Sequence, residues 1–455
     1  MNGHIFREYD IRGVVEQDLS GDVPRQIGQA FATEVRAMLG DERRRTVVVG
    51  HDNRPSSPTL AEGVIAGARA AGVDVIDVGT VPTPVLYFAA ETLQTDGGLQ
   101  ITGSHNPPEY NGFKMLVAGR ALYGERIQKL RQRIEAGDLA HGDGAVEKRE
   151  VVGSYIDDVA GRFQLARPVK VVADCGNGTG SLVAVDLLKA VGADVVPLYC
   201  ESDGTFPNHH PDPVVDENLA DLIELVRREG AALGVGFDGD ADRLGVVDET
   251  GRIIRGDILL LLFGLDILKQ SGPGQKLVFD VKCSQAVPEV FAARGGEPIM
   301  WKTGHSLIKE KMKETGAPIA GELSGHICFA DDYYGYDDAL YAACRITDLI
   351  ARGDRPLSKM VAEFPSYHST PEIRVEVPED DKFDLVDRAV RHFRETHEVV
   401  SVDGARVLFD EGWGLVRASN TQPVLVLRFE ARNEAALDRI RSTFEDWLRG
   451  QGVQV

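Results

Sequence analysis

The chain has 455 residues, 43% of them hydrophobic, with 49 glycines and a formal net charge of −21. That length predicts about three or four domains. The acidic balance argues against a nucleic-acid or membrane surface, but not against an anionic small substrate. Screening acts over about 8 Å at physiological salt, so a few local cations outweigh distant carboxylates.

Residues 1–20 carry a polar cluster, Arg7-Glu-Tyr-Asp-Ile-Arg-Gly13, and no apolar run of the kind a signal peptide needs. A helix is predicted over 23–39. The β-branched run Thr46-Val-Val-Val-Gly50 reads as a buried strand, leading into a polar loop, His51-Asp-Asn-Arg-Pro55. A small-residue helix (57–71), a strand (73–78) and a helix starting at Pro82-Thr-Pro84 follow. A short strand, Gly97-Gly-Leu-Gln-Ile-Thr102, then delivers the chain to Gly103-Ser-His-Asn-Pro-Pro108. Two prolines forbid helix there, so Ser104 is expected on a rigid, exposed loop. A hydroxyl so held can act as a nucleophile or carry a covalent group.

The pattern then recurs. In a second unit, the strand 169–173 enters Asp174-Cys-Gly-Asn-Gly-Thr-Gly180, read as a close-packing turn because it lacks a P-loop ending. Strands at 194–198 and 233–237 and a helix at 218–229 lead to Asp238-Gly-Asp-Ala-Asp-Arg243. In a third, a buried helix around Ile258–Leu268 precedes strands at 276–279, 297–301 and 318–320 and a helix at 307–315. This unit ends in Gly321-Glu-Leu-Ser-Gly-His326. Ligands collect outside the carboxyl ends of strands in such sheets, so three polar loops are candidates for one cleft. The tail differs: strand 371–377, helix 382–397, a hairpin over 399–416, strand 423–429 and helix 433–449 make an α+β unit. Linkers are expected near 145–155, 250–256 and 366–371. The five cysteines are scattered and form no CxxC pair, which fits reduced thiols in a cytoplasmic protein.

Asp238, Asp240 and Asp242 offer three carboxylates at alternate positions, suited to a hard divalent cation such as Mg²⁺ completed by a phosphate oxygen. With Glu249 they match the acidic spacing of an EF-hand, but Arg243 stands where that loop needs glycine. Arg243 either neutralises the carboxylates or reaches a substrate oxygen. Glu322, Ser324 and His326 suit the reading of sugar hydroxyls. Arg417, Ser419, Asn420 and Thr421 offer a guanidinium, hydroxyls and an amide, as a phosphate dianion requires. Arg12, Lys114, Lys282 and His305 are further cationic or proton-transferring candidates. A serine nucleophile, a cation triplet, a sugar loop and a phosphate clamp together imply phosphoryl transfer, which is mainly positioning and charge stabilisation.

On the motifs at Thr102–Pro107, Asp238–Arg243, Gly321–His326 and Arg417–Thr421, in that order, the chain resembles the α-D-phosphohexomutase superfamily over its whole length. It most resembles the bacterial phosphomannomutase/phosphoglucomutase group. The resemblance implies three topologically similar α/β domains with mixed sheets plus a C-terminal α+β domain, around one central cleft: 1–150, 151–253, 254–368 and 369–455. It implies that Ser104, as a phosphoserine, exchanges a phosphoryl group with hexose 1- and 6-phosphates through a bound bisphosphate, with glucose 1,6-bisphosphate as activator. Asp238, Asp240 and Asp242 would hold Mg²⁺ together with the Ser104 phosphate. Glu322 and Ser324 would hold the sugar, and Arg417, Ser419, Asn420 and Thr421 the non-reacting phosphate. Tyr9, Arg12, Lys114, Arg243, Lys282, His305 and His326 match cleft-lining positions, His105 and Lys114 being proton-transfer candidates. A cytoplasmic monomer without membrane or nucleic-acid partners is expected.

Gly103 stands where relatives often have alanine, an exchange expected to be harmless. Leu323 stands where dual-specificity relatives often have methionine, which leaves the epimer preference open. Alternatives are a phosphoglucosamine mutase, a metal-dependent sugar phosphatase using the same serine, and a non-catalytic sugar-phosphate-binding protein.

Overall fold

The computed structural model describes residues 2–420 and 422–455. It divides into two compact units, Met1–Gly256 with Ser324–Met360, and Asp257–Leu323 with Val361–Val455.

In the first unit the strand Thr46–His51 is central, as its β-branched run predicts. Asp74–Thr80 and Gly97–Ile101 pair parallel to it on either side. The chain then reverses, and Tyr110–Val117 returns antiparallel to Gly97–Ile101. The second sheet repeats this order. Lys170–Asp174 lies between parallel Asp194–Leu198 and Leu233–Phe237, and Leu244–Asp248 returns antiparallel. In the second unit Lys276–Asp280 lies between parallel Glu297–Trp301 and Ile319–Gly321. Each repeat thus places its first strand in the middle. The returning strands, which the periodicity did not reveal, make the first two sheets mixed and turn their polar loops into strand-to-strand reversals.

The tail of the second unit is an antiparallel sheet built on Gly412–Ala418 and Val424–Ala431. Two helices, Lys382–Phe393 and Glu434–Gly450, cover it, with Phe393 stacked on Phe444 at 4.7 Å between ring centroids. The first helix stops four residues short of the expected end. Phe393 is its last buried side chain, and the chain turns there, His397 N–H donating to Phe393 O, to enter the strand Glu398–Val400.

The apolar run from Ile258 lies in the helix Gly256–Ser271, with Leu259, Leu260 and Leu261 fully buried. Among the described residues no helix is long and apolar enough to cross a membrane. The expected linkers carry ordered elements. Val146–Lys148 pairs with Asp74–Thr80, Ile253–Ile254 with Leu244–Asp248, and His368–Ser369 with Val424–Ala431. Edge pairing satisfies backbone groups that a free linker would leave to water.

Candidate active site

The serine loop fills the reversal between Gly97–Ile101 and Tyr110–Val117. Ser104 adopts φ 49°, in the left-handed region, a conformation that costs an L-residue energy and is held only by its surroundings. Its N–H donates to Thr102 Oγ1 at 2.8 Å. Arg54 supplies the rest of the frame. Its guanidinium donates to the carbonyls of Ser104 (2.8 Å), Asn106 (2.6 Å), Pro107 (2.6 Å) and Tyr110 (3.2 Å), and its Nε to Asp52. Asp52 in turn accepts from the N–H of Gly103 at 2.9 Å.

The expectation of an exposed serine is therefore corrected: Ser104 is 2% exposed. The loop is buried because Arg54 satisfies its carbonyls, so it needs no water to do so. The lack of a side chain at Gly103 leaves room for this frame. A Cβ at that position would lie 2.4 Å from Arg54 Cζ. Gly103→Ala is expected to cost about 1–3 kcal/mol, the usual penalty of overpacking, read as a lower melting temperature together with a lower turnover.

The acidic loop fills the corresponding reversal of the second repeat, between Leu233–Phe237 and Leu244–Asp248. Strands flank it, as the rejection of an EF-hand required. Asp238 Oδ1 accepts from the N–H groups of Asp242 and Arg243, at 3.0 and 3.1 Å, which closes the loop on itself. Thr83, opening the helix Thr83–Thr92, donates its N–H to Asp240 O and its hydroxyl to Asp240 Oδ2. Gly239 allows the two loops to touch, since a Cβ there would lie 2.3 Å from Ser104 O. The turn after Lys170–Asp174 also has a role beyond close packing: Thr179 donates its N–H and its hydroxyl to Gly239 O.

These contacts bring the first-unit candidates together. Ser104 Oγ donates to Asp238 Oδ2 at 2.9 Å and lies 3.2 Å from His105 Nδ1. Lys114 Nζ bridges Asp240 Oδ2 at 2.7 Å and Asp242 Oδ2 at 2.5 Å. Arg243 donates from Nε to His326 Nε2 at 2.9 Å, and His326 Nδ1 lies 3.1 Å from Asp337 Oδ2. Arg12 donates to Asn106 Oδ1 at 2.9 Å and to Asp10. Tyr9 and Ser324 belong to the same unit and are partly buried.

The electrostatics follow from burial and charge. Burial pushes the Asp238 carboxyl well up, and Asp242 and Asp240 add to it. Burial acts the same way on Asp240, but the charge of Lys114 and its hydrogen bond outweigh it and hold this carboxyl low. Burial would lower the Lys114 ammonium; Asp240 and Asp242 instead hold it well above its usual range. His105 is pushed well down by burial and by Arg243 and Arg12.

In the second unit, Glu322 accepts from Gly304 N–H at 2.6 Å, at the start of the helix His305–Thr315. Asp403 accepts from both Thr303 N–H (3.0 Å) and Arg417 Nε (2.9 Å), which ties the loop before His305 to the arginine of the phosphate-type motif. Lys282 pairs with Glu372 at 2.6 Å, and its carbonyl accepts from Arg428. Ser419 is buried and Asn420 partly so; Thr421 lies outside the described residues.

Models of the phosphoglucomutase/phosphomannomutase family match the chain in four consecutive parts. The alpha/beta/alpha domains I, II and III match residues 3–141, 153–251 and 255–367, and the C-terminal domain matches 372–446. The chain belongs to this family. It is 49% identical over 446 residues to a phosphomannomutase/phosphoglucomutase of Pseudomonas aeruginosa, covering 98% of this chain and 95% of the relative. It is 44% identical to a phosphoglucomutase of Neisseria gonorrhoeae, covering 97% and 96%. Its fold matches the crystal structure of a phosphoglucomutase/phosphomannomutase family protein from Burkholderia thailandensis with a TM-score of 0.92. That protein is 45% identical, over 99% of this chain and 98% of that one.

In this phosphoglucomutase/phosphomannomutase family member the acidic loop fits a divalent cation. Ligand atoms of Asp238, Asp240 and Asp242 lie within 4.8 Å of one another. All three residues are fully buried, and Asp240 Oδ1 and Asp242 Oδ1 have no hydrogen-bond partner among the described residues. Buried carboxylate oxygens of this kind call for a counter-charge beyond Lys114. Several residues of the site escaped sequence reasoning, Asp52, Arg54, Thr83 and Asp337 among them. Asp52 and Arg54 lie in a loop read only as polar, and Thr83 in a segment read only as a helix start. Asp337 carried no local signal at all.

Proposed function

We propose that the chain interconverts hexose 1- and 6-phosphates by reversible phosphoryl transfer, with Ser104 as the carrier and a hexose 1,6-bisphosphate as the bound intermediate. The observation that carries this reading is the hydrogen bond from Ser104 Oγ to Asp238, the first of three buried carboxylates suited to a cation.

The first half-reaction forms a bond from a sugar oxygen to phosphorus and breaks the bond from phosphorus to Ser104 Oγ; the second, at the other end of the sugar, breaks a sugar oxygen–phosphorus bond and re-forms the bond to Ser104 Oγ. The attacking sugar hydroxyl gives up a proton and the departing Ser104 oxygen takes one up. His105, with Nδ1 3.2 Å from Ser104 Oγ, is the proposed partner of the serine oxygen, giving it a proton as it departs and taking one back as it attacks. Lys114, salt-bridged to Asp240 and Asp242, supplies charge to the transferring group rather than a base. Arg243 is aimed by His326 and Arg12 by Asp10 and Asn106, as cations for phosphate oxygens. Asp238, Asp240 and Asp242 would hold Mg²⁺, with the Ser104 phosphate as a further ligand. A bound Mg²⁺ supplies Lewis-acid polarisation of the phosphoryl oxygens.

Glu322, Ser324 and His326 are assigned to the sugar hydroxyls, with Tyr9, Lys282 and His305 as further substrate contacts. Arg417, Ser419, Asn420 and Thr421 are assigned to the non-reacting phosphate. We assign domains to 1–150, 151–253, 254–368 and 369–455. All four motif loops lie on one chain, which supports a monomer, and five free thiols support the cytoplasm.

The test is a coupled assay with glucose, mannose and glucosamine 1-phosphates, with and without glucose 1,6-bisphosphate. The 6-phosphate of glucose or mannose should accumulate, faster with the bisphosphate. Steady release of inorganic phosphate instead would identify a phosphatase. Chelation of divalent ions should lower turnover at least about 100-fold, because Lewis-acid stabilisation is worth several kcal/mol. Added Mg²⁺ should restore it.

A further inference from the structure

Two cysteines of the second repeat, Cys175 and Cys200, are not independent. Cys175 Sγ lies 2.8 Å from Cys200 Sγ, both as free thiols. The two ends of parallel strands produce this contact. Asp174 and Leu198 are in register, and Cys175 N–H donates to Leu198 O at 3.1 Å. Tyr199 then takes φ 49°, a left-handed turn that folds Cys200 back over the strand ends. Its sulfur lies 3.3 Å from both Ala173 O and Leu198 O. Two further bonds lock the turns together: Asn177 N–H donates to Tyr199 O at 2.9 Å, and Asn177 Nδ2 to Glu201 O at 2.8 Å. The sulfurs are thus held about 0.75 Å beyond the roughly 2.05 Å of a disulfide bond.

We propose that Cys175 and Cys200 form a reversible oxidation site, closed to an intramolecular disulfide by a peroxide. The exposures divide the roles: Cys175 is fully buried, whereas Cys200 is partly open. Its hydrogen bond with Cys175 lowers the Cys200 thiol against the opposing effect of burial, while burial raises Cys175. Cys200 thiolate attacks a peroxide oxygen; the O–O bond breaks and hydroxide leaves, giving a sulfenic acid. Cys175 then gives up its proton, and its sulfur attacks Cys200 Sγ. The S–S bond forms, the S–O bond breaks and water leaves. Two thiols and one peroxide become one disulfide and two waters.

Disulfides of this kind in a reducing compartment are transient and sensing rather than structural. Cys175 opens the turn that supports the acidic loop, since Thr179, four residues after it, donates to Gly239 O. Cys283, Cys328 and Cys344 are buried. The pair stands whether or not Ser104 carries a phosphoryl group.

The experiment treats the folded, reduced protein with hydrogen peroxide, then denatures it and alkylates the remaining thiols. Two of the five thiols should be lost. Trypsin cleaves at Lys189, between the two cysteines, so one linked peptide pair should join Cys175 to Cys200. Dithiothreitol should return both thiols, and Cys200→Ser should retain all of its remaining thiols. Five intact thiols after peroxide, a link between any other pair, or Cys200 accumulating as sulfinic acid would overturn the proposal. The peptide map of the unaltered protein decides the matter even if the variant does not fold.

Discussion

Ser104→Ala is expected to lower hexose-phosphate interconversion at least about 10³-fold, because no other group replaces a lost nucleophile. The fold should survive. The hydrogen bonds of Ser104 Oγ with Asp238 and with His105 Nδ1 go, and each such bond is worth about 0.5–1.5 kcal/mol. The melting temperature should therefore fall by no more than about 5 °C. Substrate binding should persist, since the residues assigned to the sugar and its distal phosphate are untouched. Turnover near the parent rate would remove the serine from the mechanism. A collapse of the melting temperature would mean instead that the residue is architectural.

The second large effect is expected at Arg54, which touches no substrate in the account above. Its guanidinium is fully buried and spans four carbonyls of the serine loop and Asp52. Arg54→Leu leaves those carbonyls unmet and the Asp52 carboxylate buried without its partner. Breaking a buried pair in this way costs about 3–5 kcal/mol, which lowers the melting temperature by roughly 10 °C. Turnover should fall further than stability explains, because the left-handed backbone of Ser104 is held by this frame. Arg54→Lys separates charge from geometry. Lysine keeps the charge for Asp52 but lacks the planar fork that reaches several carbonyls at once, so it should recover stability in part and turnover hardly at all. Parent-like turnover in either variant would show that the frame does not position the serine.

The two effects mark what sequence reading could and could not reach. Ser104 and the Asp238–Asp242 triplet were legible because each chemistry is carried by adjacent residues in one strand-end loop. The repeat of strand, helix and strand was legible for the same reason, being written in local periodicity. Arg54 was not, since its meaning lies in carbonyls about fifty residues away. Asp337 acquires significance through a residue eleven positions away, His326, whose Nδ1 lies at 3.1 Å. Reading Ser104 as exposed followed the general rule that loops lie on the surface. That rule yields where a buried arginine meets the loop's carbonyls. Gly103 shows the same dependence, since its lack of a side chain matters only because Arg54 Cζ occupies the space.

The most direct measurement is mass spectrometry of the peptide carrying Ser104, after incubation with glucose 1,6-bisphosphate and again after a chase with hexose 1-phosphate. The account predicts one phosphoryl group on Ser104 in active protein. Carried as an isotopic label, it should pass into the sugar phosphates during the chase while Ser104 is rephosphorylated without the label. Active protein with Ser104 never modified, or with the phosphoryl group on another residue, would contradict it.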